Sequence, residues 1–220
     1  MKLFGYWRSS ATYRIRIILA LKGLDYAYQP VNLLAGEQRD DAYKSANPQA
    51  LVPTLVTDDG ARLTQSLAIA AYLEEVHPSP SVLPTDPVAR AQARAIAAAI
   101  ACEAQPFMNL RVQRHLKRDH DFDDPSLAAW LERWAGGVLR VLETTAREAG
   151  GAYCVGAAPG LADAFLIPQL YASRRFGMAL DAYETLLTIE RQCLEHDAFQ
   201  AAHPDRQPDA PPPSDGDHAP

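Results

Sequence analysis

Residues 2–22 of the 220-residue chain read KLFGYWRSSATYRIRIILALK, and Gly23 follows them. Apolar side chains alternate over residues 2–7, which predicts a strand. They recur at helical spacing over residues 12–22, which predicts a helix that Gly23 ends. Residues 26–32 (YAYQPVN) are again typical of a strand. Because a helix connects the two strands, they are expected to pair in parallel, as a β-α-β unit.

The next segment adds a hairpin to this unit. Residues 39–45 can form a short helix, which the Asn-Pro pair at 47–48 interrupts. Short strands at 54–57 and 61–64 flank an Asp-Asp-Gly turn, and a helix is predicted over residues 66–76. A crossover unit followed by a hairpin favours a small mixed sheet covered by helices. This order of elements is the thioredoxin-like topology.

A proline-rich stretch then divides the chain. Residues 77–81 (HPSPS), with Pro84 and Pro87 close behind, cannot continue a helix and read as a linker. Beyond it the apolar residues recur at helical spacing without a strand pattern, over residues 88–117, 126–149, 161–173 and 182–196. We therefore predict an α/β plus all-α fold, with a thioredoxin-like domain over residues 1–80 and a helical bundle over residues 85–203.

The last segment, residues 204–220 (PDRQPDAPPPSDGDHAP), is rich in proline and aspartate, and alanine is its only apolar residue type. Such a composition buries too little apolar surface to fold, so a disordered tail is predicted. Binding to a proline-recognising partner is the alternative, although the flanking arginine usual for such motifs is missing.

The composition excludes several classes of protein. A formal net charge of -6 does not attract a phosphate backbone, so no nucleic-acid partner is expected. No signal-peptide pattern and no apolar run of membrane-spanning length occurs, which predicts a cytoplasmic protein without a membrane partner. Cys102, Cys154 and Cys193 form no C-x-x-C pair, which disfavours a thioredoxin-type oxidoreductase, and they are expected to be buried apolar residues. The six histidines are scattered, and no metal site is predicted.

The junction between the first strand and the first helix carries the first sign of chemistry. Ser9, Ser10 and Thr12 place hydroxyl groups at a helix N-terminus, where free backbone N–H groups and the helix dipole favour an anion. A thiolate is one such anion. On its own, Ser10 is also typical of a residue that simply caps the helix.

Residues 7–16, read Trp-Arg-Ser-Ser-Ala-Thr-Tyr-Arg-Ile-Arg, resemble the N-terminal signature of the zeta-class glutathione transferases. Further matches follow in order over roughly residues 1–200. They are Asn47-Pro48, Leu51-Val52-Pro53-Thr54-Leu55, Gln65-Ser66-Leu67-Ala68-Ile69, Tyr72-Leu73-Glu74-Glu75, Gln105-Pro106, Asn109-Leu110-Arg111-Val112, Leu161-Ala162-Asp163, Pro168-Gln169 and Arg174-Arg175-Phe176. The resemblance implies a glutathione transferase fold, glutathione as cofactor and a homodimer.

The resemblance also implies a set of glutathione contacts. Val52 precedes Pro53, expected in the cis form, and would pair its backbone with the bound tripeptide as an added strand. Gln65 and Ser66, at a helix N-terminus, suit the γ-glutamyl carboxylate. The remaining contacts that the resemblance implies are Gln38 at the glycine end and, from the helical half, Gln105, Asn109 and Arg111.

Ser9 is the predicted donor to the glutathione sulfur, and Ser10 is the second candidate. A free thiol with a pKa of about 8.5 is only slightly ionised at neutral pH, so lowering that pKa by about 1–2 units raises the thiolate fraction severalfold or more. Where the zeta class usually has cysteine, this chain has Ala11, which also lies among the predicted glutathione contacts. The site therefore lacks the protein thiol that is usual in the class, whereas catalysis by glutathione itself does not need one.

The resemblance places Arg8 and Arg175 around the substrate, where forked guanidinium groups suit a small dicarboxylate. The zeta class includes enzymes that isomerise maleylacetoacetate, and bacterial relatives isomerise maleylpyruvate. The resemblance therefore implies that this protein is a glutathione-dependent cis–trans isomerase, with maleylacetoacetate as the first choice of substrate. Maleylpyruvate isomerisation, transferase activity on small α-halo acids, and a non-enzymatic binding module remain the alternatives.

Overall fold

The computed structural model describes residues 1–212. Four short strands form one mixed sheet in the order β2-β1-β3-β4. β1 pairs in parallel with β2 and antiparallel with β3, which in turn pairs antiparallel with β4. The strand bounds are Lys2–Gly5 (β1), Ala27–Pro30 (β2), Thr54–Val56 (β3) and Arg62–Thr64 (β4). The predicted β-α-β unit followed by a hairpin is confirmed.

Helices cover this sheet and form the second half of the chain. Those of the first half are Ser10–Leu21 (α1), Asp41–Lys44 (α2) and Ser66–Val76 (α3). Those of the second half are Pro87–Ala98 (α4), Gln105–Met108 (α5), Leu110–Asp119 (α6), Asp124–Leu131 (α7), Gly137–Ala149 (α8), Leu161–Arg175 (α9), Glu184–Leu194 (α10) and Asp197–Ala202 (α11). Gly23 follows α1 with φ of 64°, a left-handed conformation that glycine adopts without strain, so the predicted helix stop is also confirmed.

The long helix predicted over residues 88–117 is wrong. A π-helical turn over Ala99–Ala104 follows α4, and the helix then breaks at Asn109, whose ψ is 137°. The Asn109 side chain accepts a hydrogen bond from the Arg111 N–H at 3.0 Å, which starts α6 as a new helix. Pro106, without a backbone N–H, also weakens helical continuity just before the break.

The expected disorder of the tail is corrected for its first part. Pro204 is buried and begins a 3-10 turn over Pro204–Arg206. The Asp209 carboxylate accepts hydrogen bonds from the Trp7 N–H at 2.9 Å and from the Tyr28 hydroxyl at 3.3 Å. The composition of the segment did not predict this order, because the contacts are made by one carboxylate, Asp209, and one buried proline, Pro204, rather than by an apolar stretch. Residues 213–220 lie outside the described part of the chain.

One apolar core is shared by the two halves. Buried Leu3, Ile17 and Leu55 of the first half belong to the same cluster as Phe165 and Leu170 of α9. α1 packs against α3, α9 and α11. The sheet and the helical bundle are thereby held against each other, while the residue at which one domain ends stays a prediction.

The linker docks directly on the start of α9. The Leu161 N–H donates to the Val82 carbonyl at 2.7 Å, and a Cβ on Gly160 would lie 2.6 Å from the same oxygen, so this close approach requires glycine. Asp163 accepts hydrogen bonds from the N–H groups of Gly160 and Cys154, at 2.9 and 2.8 Å, and so closes the first turn. This contact fixes α9, and with it Arg175, relative to the first half.

The cysteines differ from one another. Cys154 and Cys193 are buried as expected, but Cys102 is exposed, which corrects the expectation for that residue. Within residues 1–212 no group of histidine, cysteine and carboxylate side chains is arranged to hold a metal ion. None of the helices described is both long and apolar enough to cross a membrane.

Candidate active site

The N-terminus of α1 opens onto a groove between the two halves. Ser9 is the capping residue, since its Oγ accepts a hydrogen bond from the Thr12 N–H at 3.3 Å. Ser10 is the first residue inside the helix, so the cap falls one residue earlier than Ser10. Among residues 1–212, the N–H groups of Ser10 and Ala11 make no hydrogen bond. They are free donors for an anion beside the Ser9 hydroxyl.

Three adjoining cavities make up this groove. The arginine cavity, of about 80 Å³, is lined by Arg8, Ser9, Ser10 and Arg175 among others. The middle cavity, of about 240 Å³, adds Gln38 and Ala11, and the α3 cavity, of about 390 Å³, adds Pro53, Gln65 and Ser66. The middle and α3 cavities share Val52 and Arg111, and Gln105 and Asn109 line all three. The structure thus brings together every predicted site residue.

Val52 presents an unpaired stretch of backbone to the groove. The Val52–Pro53 peptide bond is cis, as the sequence predicts. In the described part of the chain, neither the N–H nor the carbonyl of Val52 takes part in a hydrogen bond. Both groups are therefore free to pair with an extended peptide in the manner of an added strand.

The N-terminus of α3 faces the same groove. Gln65 precedes the helix with φ of 68°, a left-handed conformation that costs a non-glycine residue about 1–3 kcal/mol and that is typical of functional sites. Its side chain donates to Gln49 Oε1 at 2.9 Å rather than capping the helix. Within residues 1–212 the N–H groups of Ser66 and Leu67 have no partner, so this helix end is open to an anion.

Two side chains of the middle cavity, Gln38 and Asn109, have polar atoms without a hydrogen-bond partner in residues 1–212. Gln38 Oε1 is buried and has no partner within residues 1–212. Asn109 uses its side-chain oxygen to cap α6, while no bond within that range occupies its amide nitrogen. Because buried polar atoms are normally paired, the Gln38 oxygen suits a polar ligand in the groove, and the Asn109 amide can donate to the same ligand.

Arg8 and Arg175 provide the positive charge of the arginine cavity. Partial burial, and then the positive charge of Arg8, lowers the pKa of Arg175, although the residue as a whole stays exposed. Neither guanidinium forms an ion pair within residues 1–212, and Arg8 Nε is buried without a partner. Arg174 differs, because its guanidinium forms a bidentate pair with Glu190. Two neighbouring unpaired cations suit a ligand with two negative charges.

The sequence assigned no role to several residues that complete the arginine cavity. Gln169 is fully buried in α9, donates to Ser173 Oγ at 3.3 Å, and leaves its own Oε1 without a partner among residues 1–212. Tyr6, Met108 and Phe176 line the same cavity. The sequence carries one local signal for Gln169, which is a glutamine among the apolar residues of α9. Which cavity its side chain enters depends on packing against residues far away in the chain, so the sequence could not assign it.

Comparisons with known proteins agree with this geometry. Residues 8–76 match the family model described as "Glutathione S-transferase, N-terminal domain". The maleylacetoacetate isomerase of Pseudomonas aeruginosa is 46% identical over 96% of this chain and 99% of its own length.

Two solved structures are similar over nearly the whole chain. A zeta-class bacterial glutathione S-transferase described as maleyl pyruvate isomerase superposes with a TM-score of 0.92 at 38% identity, covering 96% of this chain and 100% of its own. The maleylacetoacetate isomerase of Anaeromyxobacter dehalogenans superposes with a TM-score of 0.86 at 43% identity, covering 96% of this chain and 94% of its own. That structure contains dicarboxyethyl glutathione and citrate in its active site. By sequence and by fold, this chain belongs to the zeta-class glutathione transferase family that includes the maleylacetoacetate isomerases.

Proposed function

We propose that this protein is a glutathione-dependent cis–trans isomerase whose substrate is maleylacetoacetate. The observation that carries the proposal is the arginine cavity, where two guanidinium groups without ion-pair partners in residues 1–212 share a wall with the Ser9 hydroxyl. A relative that is 46% identical over nearly its full length is a maleylacetoacetate isomerase. In a second relative, dicarboxyethyl glutathione occupies the active site, which joins the tripeptide to a dicarboxylate.

The groove fits glutathione in charge and in hydrogen bonding. The tripeptide has two carboxylates, an ammonium group and a thiol. Ser66 and the open end of α3 suit the γ-glutamyl carboxylate, and the free backbone of Val52 suits the peptide portion. Gln38 in the middle cavity suits the glycine end, and Gln105, Asn109 and Arg111 line the groove from the helical half.

When bound, glutathione supplies a thiolate that adds to the cis double bond, permits rotation about the resulting single bond, and leaves again. Ser9 stabilises the ionised sulfur, since its O–H can donate a hydrogen bond to the sulfur while its Oγ accepts one from the Thr12 N–H. The free N–H groups of Ser10 and Ala11 add positive potential at the same point. No protein thiol is required at Ala11.

Arg8 and Arg175 bind and orient the substrate through its carboxylates. Their charges also stabilise the negative charge that develops on the conjugated carbonyl system in the transition state. Because the two residues come from opposite halves of the chain, the substrate is held across the groove rather than on one wall. Gln169 lines the same cavity, and its buried Oε1 has no hydrogen-bond partner within residues 1–212.

The substrate assay tests the proposal directly. Maleylacetoacetate and maleylpyruvate are supplied in parallel, with and without glutathione, and isomerisation is followed by ultraviolet absorbance. We expect glutathione-dependent turnover, faster with maleylacetoacetate. Faster turnover of maleylpyruvate would instead identify the protein as a maleylpyruvate isomerase, the activity for which its zeta-class structural relative is named. Absence of turnover with both substrates would contradict the proposal in favour of an α-halo acid transferase or a binding module.

We propose further that the protein is a homodimer and works in the cytoplasm. A groove of about 600 Å³ runs between α3 and α4, with Leu67 and Ala70 in its wall. Glu75 lies on the α3 side and Arg94 on the α4 side, so a second copy related by two-fold symmetry can meet it with opposite charges. The three cysteines are free, as is usual in a reducing compartment.

A further inference from the structure

Helix α1 buries two arginines that face different parts of the molecule. Arg14 is 1% exposed, and its Nη1 donates to Ser66 Oγ at 3.2 Å. Its guanidinium also lies over the Phe165 ring, 4.8 Å from the ring centroid. In residues 1–212 its Nε and Nη2 have no hydrogen-bond partner and no carboxylate pairs with it. Burial lowers the pKa of Arg14 to about 9.

An unpaired buried charge is costly, so its retention calls for a partner from outside the chain. Arg14 lines the α3 cavity together with Ser66 and Gln65. Because the Ser66 oxygen accepts from Arg14, the Ser66 O–H is left to donate into that cavity. The N–H groups of Ser66 and Leu67, which have no partner within residues 1–212, also favour an anion at this point.

We propose that Arg14 is a positioning residue for glutathione: it orients the Ser66 hydroxyl toward the γ-glutamyl carboxylate, and that carboxylate balances its buried charge. The inference rests on the proposed glutathione site and adds to it a buried residue that acts through Ser66. Arg14 acts on binding of the tripeptide through Ser66 and stays away from the arginine cavity, where the bond rearrangement takes place.

Arg16 provides a matched control on the same helix. It is also 1% exposed, and its Nε and Nη2 donate to the carbonyls of Ala202 and Trp7, both at 2.9 Å. Neither of those residues lines the α3 cavity. Removing the Arg16 guanidinium therefore deletes a comparable buried group without touching the proposed carboxylate site.

The test compares two ligands across four proteins by calorimetric titration. The ligands are glutathione and the analogue with 4-aminobutyrate in place of the γ-glutamyl residue, which lacks only that carboxylate. The proteins are wild type, Arg14→Met, Arg14→Lys and Arg16→Met. We expect wild type to prefer glutathione by about 10-fold or more, in line with a charge-assisted hydrogen bond. Arg14→Met loses most of that preference, Arg14→Lys recovers part of it, and Arg16→Met keeps it.

Kinetics and a fourth variant separate positioning from folding. In Arg14→Met the KM for glutathione rises while kcat at saturating glutathione stays within about 3-fold of wild type. If Arg14→Met does not fold, Ser66→Ala serves in its place, because it keeps the cation and removes the hydroxyl that the cation orients. An undiminished preference in Arg14→Met or, failing that, in Ser66→Ala would overturn the role of Arg14 and leave the proposed function standing. Failure of wild type to bind glutathione would overturn both.

Discussion

Ser9 has one role that the structure shows, as a helix cap, and one that we propose, as the donor to the glutathione sulfur. As the cap of α1 it accepts a hydrogen bond from Thr12, and as a lining residue of two cavities it can donate to the glutathione sulfur. An alanine at this position would lose both, at about 0.5–2 kcal/mol of stability for the cap. Glycine is tolerated at a cap with a loss of only a few tenths of a kcal/mol, so it isolates the chemical role.

We expect Ser9→Gly to fold normally and to lower kcat/KM by about 10- to 100-fold, because a hydrogen bond to a charged sulfur is worth about 1.5–3 kcal/mol. Titration of the ultraviolet absorbance of the bound thiolate should show a higher glutathione pKa in the variant. Ser10→Ala is the control, since Ser10 lies inside the helix and its hydroxyl makes no hydrogen bond to the protein in residues 1–212. A larger loss in Ser10→Ala than in Ser9→Gly would make Ser10 the donor.

Helix α1 is held to α3 and the linker by one buried cation. Lys22 Nζ donates to Glu74 Oε2 at 2.7 Å and to the carbonyls of His77 and Pro80 at 2.7 and 3.0 Å. The side chain of Lys22 is 0% exposed and that of Glu74 is 11% exposed. Burial by itself raises the pKa of Glu74, but hydrogen bonds from Lys22, Ser81 and Val82 outweigh it and leave that pKa below its usual value.

We expect Lys22→Met to lower the free energy of unfolding by about 1–3 kcal/mol at neutral pH, because it leaves the partly buried Glu74 carboxylate without its counter-charge. Since the wild-type pKa of Glu74 is depressed, its stabilising effect is present above the unfolded pKa of about 4.3 and is lost as the pH falls through the folded value. In the variant, protonation of Glu74 relieves the unpaired charge instead. Denaturant unfolding should therefore show a deficit that shrinks as the pH is lowered toward about 4, and a deficit independent of pH would contradict this account.

At the scale of the whole molecule, the groove between α3 and α4 is the surface on which we propose that a second copy binds. Reversing one charge there, Arg94→Glu, places it opposite Glu75 of the second copy and should shift the protein toward monomers in light scattering. The double variant Glu75→Arg with Arg94→Glu restores opposite signs and should recover the dimer. Monomeric wild type, or dimers unaffected by the single change, would rule out this surface as the interface.

Much of the fold could be predicted from local signals. The alternation over residues 2–7, the stop at Gly23 and the Asp-Asp-Gly turn each depend on a few neighbouring residues, and the structure confirms all three. The helix break at Asn109 was missed because the periodicity of apolar residues runs across it. Asp209 was missed because its partners, Trp7 and Tyr28, lie about 200 residues earlier in the chain.

By itself the sequence determined the order of the elements in the first half, the serines at the first helix and the family resemblance, since each of these is contained in short contiguous motifs. Only the folded chain determined that Arg8 and Arg175 line one cavity with no ion-pair partner among residues 1–212, and that Gln169 lines the same cavity. It also determined that Arg14 faces Ser66 while Arg16 faces the C-terminal segment. The physical reason is that the partner of a buried polar group is set by which distant elements pack against it. Neither charge nor periodicity distinguishes two arginines on one helix until those elements are in place.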